Sequence, residues 1–428
     1  MSPELTVAIV GALLLLATVP IGMAMLIMAF IGFAFFTDMD LIVLGQTMVI
    51  KLDNFAFSAV LFFILAGNIM SHGGIVTRLI NFTNKLVGFI RGGISISGVF
   101  AHGLFGAISG SDLAAIASIS NFMIPALQKK KYPKQFSIGL MTSSAILAII
   151  IPPSIPMLII ASITGNSIAR LFMAGFLPGI LIVIAFSIYC YFASKHFDVE
   201  RMPFPSLREV ALSFREAFWA LMTPLIIFVG IFSGFCTASE AAGIAAAYSI
   251  IVELFIYKEV KAKDWAKIFL NTGVTLASVL ILVAGASAFA DYVTFQQIAV
   301  KIAEAIGDFT KDPFIFLLLI NGFLLIVGCI LEIMSAMLIL MPIFAIVVPQ
   351  YHIDMTHFAL IFIVNLGIGY LTPPVGLNLY MIMALTGENL IFVCKAVIPT
   401  LLILIVMLLI ITYVPAISLF LPRLFGMM

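Results

Sequence analysis

Charge is scarce in this sequence. Only 10% of its 428 residues are Asp, Glu, Lys or Arg, against roughly a quarter in a soluble domain. The net charge is +1 and no basic stripe with interleaved aromatics occurs, which excludes nucleic acid as a partner. Cys190, Cys236, Cys329 and Cys394 are far apart in apolar surroundings. They read as small buried hydrophobes rather than a disulfide framework or metal site. The five histidines show no HExxH or comparable spacing, so no transition-metal centre is expected. No nucleophile–base pair stands out, and an enzyme is not expected. Strand-type alternation is also missing, which removes an outer-membrane barrel.

What is present is apolar. Hydrophobic residues make up 63% of the chain, in recurring runs of about 18 or more, each long enough to span a bilayer. Backbone groups in lipid must pair within their own segment, so these runs have to be helices. The expected fold class is an all-α polytopic membrane protein.

Along the chain, Leu5 to Phe36 is apolar with a break at Val19-Pro20, giving two short crossings or one kinked one. Asp38, Asp40, Lys51 and Asp53 mark a water-facing loop. Gly73 to Arg91 mixes Arg78, Lys85 and Arg91 with apolar residues and is expected to lie along the interface. Phe197 to Arg215 reads as a polar connector between halves, and 291–312 as a polar loop. Thr237 and Glu240 fit a capping box, so Glu240 is better read as a cap than as a proton carrier. Glu253 lies near a segment end and is expected to snorkel to the interface.

Two stretches interrupt the oily background. Gly92 to Pro125 carries Ser109-Gly110-Ser111 in its middle and basic residues on both flanks, Arg91 and Lys129 to Lys134. Both ends then face the cytoplasm, so the segment is a re-entrant hairpin. Phe314 to Val348, with Glu332 and Ser335 in its middle, becomes a second hairpin entering from the opposite face. Each hairpin precedes a helix broken by a double proline, Pro152-Pro153 or Pro373-Pro374. The offset 373 − 152 is 221, and so is 399 − 178 for Pro399 and Pro178. This is the pattern of an inverted repeat, whose binding site is expected near the bilayer midplane.

Broken helices expose carbonyls at one end and amides at the other. Carbonyls with hydroxyls suit sodium, and amide ends with hydroxyls suit a carboxylate. Ser109, Ser111 and Ser154 serve the first half, and Ser335, Thr372 and Asn378 the second. The alternative is that small residues here only permit close helix packing. Asp112 and Glu332 are charged at membrane depth and expected to face a cavity; for Asp112, helix capping is the other reading. Both sodium and proton coupling fit these residues, as does, less readily, a channel.

GAISGSDLAAIAS, NFMIPA, IIPPSIPM, LFMAGFLPGIL, TASEAAG and NLGIGYLTPPVGLNLY, in that order, resemble the large membrane subunit of tripartite ATP-independent periplasmic (TRAP) transporters. The resemblance covers nearly the whole chain. It implies an elevator-type transporter with scaffold and transport domains in a bacterial inner membrane. It also implies sodium coupling, no organic cofactor, a small (Q) membrane subunit as a separate chain, and a periplasmic substrate-binding protein. Organic acids such as C4-dicarboxylates and sialic acids are the implied substrates. Carried over by position, one sodium site uses Ser109, Gly110 and Ser111 with Pro152 and Ser154. The other uses Glu332 and Ser335 with Thr372, Pro373 and Gly376. Substrate is expected between them, against Ser111, Asp112, Pro153, Ser154, Pro374 and Asn378. One departure is that Asp112 directly follows the SGS, whereas the family carries its acidic residue a few positions later. The expected parts are scaffold helices in 1–91, a first repeat in 92–196, further scaffold in 197–267 and a second repeat in 268–428.

Overall fold

The computed structural model describes residues 3–197, 199 and 202–427. Among them every regular element is helical, and nine segments are long and apolar enough to cross a bilayer. The N-terminal run resolves into two short helices, Pro3–Leu16 and Ile21–Phe36, because Pro20 withholds the amide that a continuous helix would need.

Three expected loops are partly helical. Ile42–Leu52 is a helix lying against Ala262–Phe295; Asp40 Oδ1 accepts from Ile42 N at 3.0 Å and starts its first turn. The charges at 38–53 only flank an apolar run, so they mark helix ends rather than a loop. Ile298–Phe309 is likewise helical, with Ile298 and Ile302 one turn apart on the same face. The connector after Phe197 ends at Ser206, where a capping box with Glu209 begins helix Leu207–Phe232. Asp198, Glu200 and Arg201 of that connector lie outside the described residues. The Thr237–Glu240 box forms as expected, with Thr237 N donating to Glu240 Oε2 at 2.8 Å.

Glu253 does not snorkel. It is 1% exposed, wedged against Gly73, where any side chain would collide with its carboxylate. The amphipathic segment forms helix Ile75–Val87, whose Ile75, Val76, Leu79 and Ile80 are buried against Gly93–Ser109 and Leu207–Phe232. It therefore lines protein on its apolar face.

Gly93–Ser109 and the returning arm, 112–129, run side by side. His102 Nε2 lies 3.3 Å from Ser120 Oγ across the two arms, and its Nδ1 lies 2.9 Å from Gly98 O. The second hairpin pairs Pro313–Ile330 with Ile333–Val347. The helices that follow are Lys134–Thr164, interrupted at 151–154, and Met355–Thr386, interrupted at 370–376. Helices Phe55–His72, Leu207–Phe232, Ala238–Ile251 and Ala262–Phe295 pack largely on one another and on the N-terminal pair. Position 268, an expected boundary, falls inside the single helix Ala262–Phe295.

Candidate functional site

Each hairpin is pressed onto the broken helix of its own half by a glycine four residues before the tip. Gly106 leaves no room for a side chain against Ala148, four residues before Pro152. Gly328 meets Gly369, four residues before Pro373, as closely: a Cβ on Gly369 would stand 2.4 Å from the backbone of Gly328. The sequence reading missed this pair, although a glycine at that spacing in both halves is its visible signal. Each tip is thereby laid on a break.

At the first tip, Gly110 adopts φ +62° and ends the helix, a conformation that glycine reaches without a Cβ clash. A Cβ there would also stand 2.9 Å from Pro153 O. Ser111 caps the returning arm, its Oγ accepting from Ala114 N at 3.4 Å. The cap role proposed for Asp112 thus falls to its neighbour. Asp112 is 5% exposed; its Oδ1 accepts from Leu113 N at 2.9 Å, and its Oδ2 has no hydrogen-bond partner among the described residues. Ser109 Oγ lies 3.5 Å from both Ser111 O and Ser111 N. In the break, the Pro152-Pro153 bond is cis. Ser154 donates to Ile149 O at 2.6 Å and accepts from Met157 N at 3.5 Å, so its hydroxyl serves both orphaned ends of the helix.

The second tip is built differently. Glu332 is itself the cap: its Oε2 accepts from Ser335 N at 3.0 Å and Ser335 Oγ at 3.1 Å. Its Oε1 accepts from Tyr370 OH at 3.1 Å, and that hydroxyl accepts from Ile333 N at 2.7 Å. Glu332 and Ser335 also line a cavity of about 360 Å³ with Gly22, Met23, Ser278 and Ile281, so the cavity-facing expectation and a capping role coincide. Tyr370 is the second group that the sequence reading missed; a phenol beside the only other double proline was its signal. Val375 N donates to Cys329 O at 3.1 Å and ties the break to its hairpin. Thr372 Oγ1 donates to Ile368 O at 3.1 Å, and Gly376 turns with φ +42°. Pro373-Pro374 is also cis.

The two breaks differ in exposure. Pro152, Pro153 and Ser154 are buried, whereas Pro373, Pro374 and Val375 are exposed. Asn378, just past the second break, is fully buried, and neither amide atom has a partner among the described residues. Its carboxamide approaches Asp112 without the alignment of a hydrogen bond. Asp112 and Glu332 also act on each other and on Tyr370 electrostatically. Ion pairs join the halves at both ends of the repeat: Arg170–Asp354 at 2.6 Å, and Lys134–Glu388.

A profile of the family described as "Tripartite ATP-independent periplasmic transporter, DctM component" matches residues 8–417. The chain belongs to this family. It is 38% identical to the C4-dicarboxylate TRAP transporter large permease protein DctM of Pseudomonas aeruginosa, over 88% of both chains. It is 34% identical to the sialic acid TRAP transporter large permease protein SiaM of Vibrio cholerae, over 96% of both. With the isethionate TRAP transporter permease protein DctMQ of Oleidesulfovibrio alaskensis the identity is 34%, covering 96% of this chain and 65% of that one. In fold it resembles the YdaH transporter of Alcanivorax borkumensis, with a TM-score of 0.61 and 15% identity over 91% of this chain and 90% of that one.

As a TRAP large permease it is a multi-pass membrane transporter component. Two cavities lie beside the tips' surroundings rather than at the first tip. One of about 810 Å³ is lined by Phe55, Ser58, Gly165, Asn166, Thr237 and Glu240. Another of about 360 Å³ runs between Asp53, Asp291 and Thr294 on one side and Ser162, Leu338 and Pro342 on the other. The second separates the helices around Ala262–Phe295 from the hairpin–break unit.

Proposed function

We propose that this permease drives uptake of an organic acid across the bacterial inner membrane by coupling it to sodium. A periplasmic binding protein delivers the substrate, and a small Q-type membrane subunit, a separate polypeptide, completes the complex. The observation that carries this reading is the repeated seating of a glycine-containing or acidic hairpin tip on a proline-broken helix. The oxygens gathered there are hydroxyls, carbonyls and carboxylates, a donor set that fits a hard monovalent cation. Ser109, Gly110 and Ser111 with Pro152 and Ser154 would hold one ion. Glu332, Ser335, Thr372, Pro373 and Gly376 would hold the other. Ser154 and Ser335 have their hydroxyl protons committed to Ile149 O and Glu332, so each would present only a lone pair. That is the face a cation needs.

Substrate would lie in the seam between the halves, reached from the exposed second break, with Ser111, Pro153 and Pro374 along it. The hairpins and broken helices, pinned to each other by the two inter-repeat ion pairs, would move as one transport domain. The helices around Ala262–Phe295 would stand still as scaffold, giving an elevator. Relatives named for C4-dicarboxylates and for sialic acid make both classes the first substrates to try. Uptake into proteoliposomes tests the reading, with the sodium gradient, the binding protein and the small subunit each omitted in turn. Transport should fall to background on each omission. Uptake undiminished without sodium would remove the coupling ion, and uptake undiminished without the binding protein would remove the tripartite arrangement.

A further inference from the structure

Asp112 and Asn378 meet from opposite halves of the chain, the first on the returning arm of the first hairpin, the second on helix Leu377–Thr386. Both are at least nine-tenths buried. Asp112 Oδ2, Asn378 Oδ1 and Asn378 Nδ2 all lack a partner among the described residues. A lone carboxylate in a low-dielectric seam is strongly unfavourable unless a cation accompanies it. The described part of the chain provides none. Among the described residues no Lys or Arg is buried and no ion pair reaches Asp112, and the neighbouring Glu332 adds charge of the same sign. Both buried histidines already have their two ring nitrogens engaged, His102 with Gly98 O and Ser120, His357 with Ser418 and Thr412 O.

We propose that a hard monovalent cation, sodium in the first instance, binds between Asp112 Oδ2 and Asn378 Oδ1. It is a third cation position, apart from the two that each lie within one repeat, and it reassigns two residues first expected to touch substrate. Neither residue lines any of the cavities described above, and two buried side chains with three unpartnered polar atoms suit a single ion rather than an organic acid. The charge differs as well. The first intra-repeat position offers hydroxyls and carbonyls, and the Glu332 carboxylate of the second is already occupied by Ser335 and Tyr370. Asp112 alone brings a full charge with a free oxygen. Because its two ligands come from different repeats, the ion would hold the seam closed, linking ion occupancy to the packing of the whole transport unit.

The test is sodium-22 binding at equilibrium to the full-length chain in lipid nanodiscs, without substrate. Sodium is titrated against choline at constant ionic strength, and thermal unfolding is followed in parallel. Asp112→Asn and Asn378→Ala should each bind one sodium fewer per chain than the wild type. In each, the sodium-dependent rise in unfolding temperature should need at least tenfold more sodium. Asp112→Asn keeps the side-chain shape, so a folded variant is expected. Unchanged sodium counts and affinity in both variants would overturn the site. Organic-acid binding is measured separately on the same nanodiscs at saturating sodium, and its loss in the variants with sodium counts intact would also overturn the site and return the pair to the substrate. A wild type that binds no sodium would overturn the coupling reading itself, so the two failures are distinguishable.

Discussion

At the residue scale, the polar groups of this permease divide into those consumed by the breaks they sit in and those left over. Ser154 closes both ends of an interrupted helix, so Ser154→Ala should cost about 1–2 kcal/mol in thermal unfolding of the purified chain. Ser111→Ala and Thr372→Val act elsewhere: they should raise the sodium concentration needed for half-maximal uptake while leaving expression intact. A wild-type sodium response in both would make these hydroxyls packing residues. Outside the membrane-spanning segments, Arg78 holds the Glu259 carboxyl below the usual carboxylate range, first through a hydrogen bond and then through charge. A depressed carboxyl contributes stability that is fully present above its unfolded value and is lost as pH falls through the folded one. The stability difference between wild type and Glu259→Gln should therefore be constant near neutrality, begin to shrink as pH falls to the ordinary glutamate value of about 4.3, and vanish only below the depressed folded value. A difference that persists in acid would assign it to packing of Arg78 over the Tyr257 ring instead.

At the element scale, the interruptions were legible because Gly110, Pro152 and Pro373 act on their own backbone, whatever surrounds them. The fate of each hydroxyl was not. Whether Ser111 or Asp112 caps a helix depends on which orphaned amide the turn brings within reach, and that geometry is tertiary. Helices Ile42–Leu52 and Ile298–Phe309 were hidden for a related reason: their flanking charges read as loop, while the apolar face that orders them needs a neighbour to be seen. The glycine contacts are testable. At Gly328 a Cβ meets backbone of Gly369 and Leu366 at 3.1–3.2 Å, whereas at Gly322 it meets nothing within 4 Å. Gly328→Ala should destabilise by roughly 1–3 kcal/mol, and Gly322→Ala should not. Equal unfolding temperatures for the two variants would mean the hairpin is not seated on its break. Arg170 and Asp354, each only about a quarter exposed on the side chain or less, should show a coupling of about 1 kcal/mol in a double-mutant cycle.

At the scale of the whole molecule, two halves with a 221-residue offset meet where Asp112, Glu332, Tyr370 and Asn378 converge. Two ion pairs, Arg170–Asp354 and Lys134–Glu388, join the halves, and in the proposed mechanism the joined halves move as one body. The central claim is that this body carries an organic acid together with sodium. Its most direct test is uptake by the permease reconstituted with its small subunit and binding protein, under an imposed inward sodium gradient. Substrate should accumulate above its external concentration, and collapse of the gradient with a sodium ionophore should abolish that accumulation. Accumulation that survives the ionophore, or that follows a proton gradient alone, would contradict it.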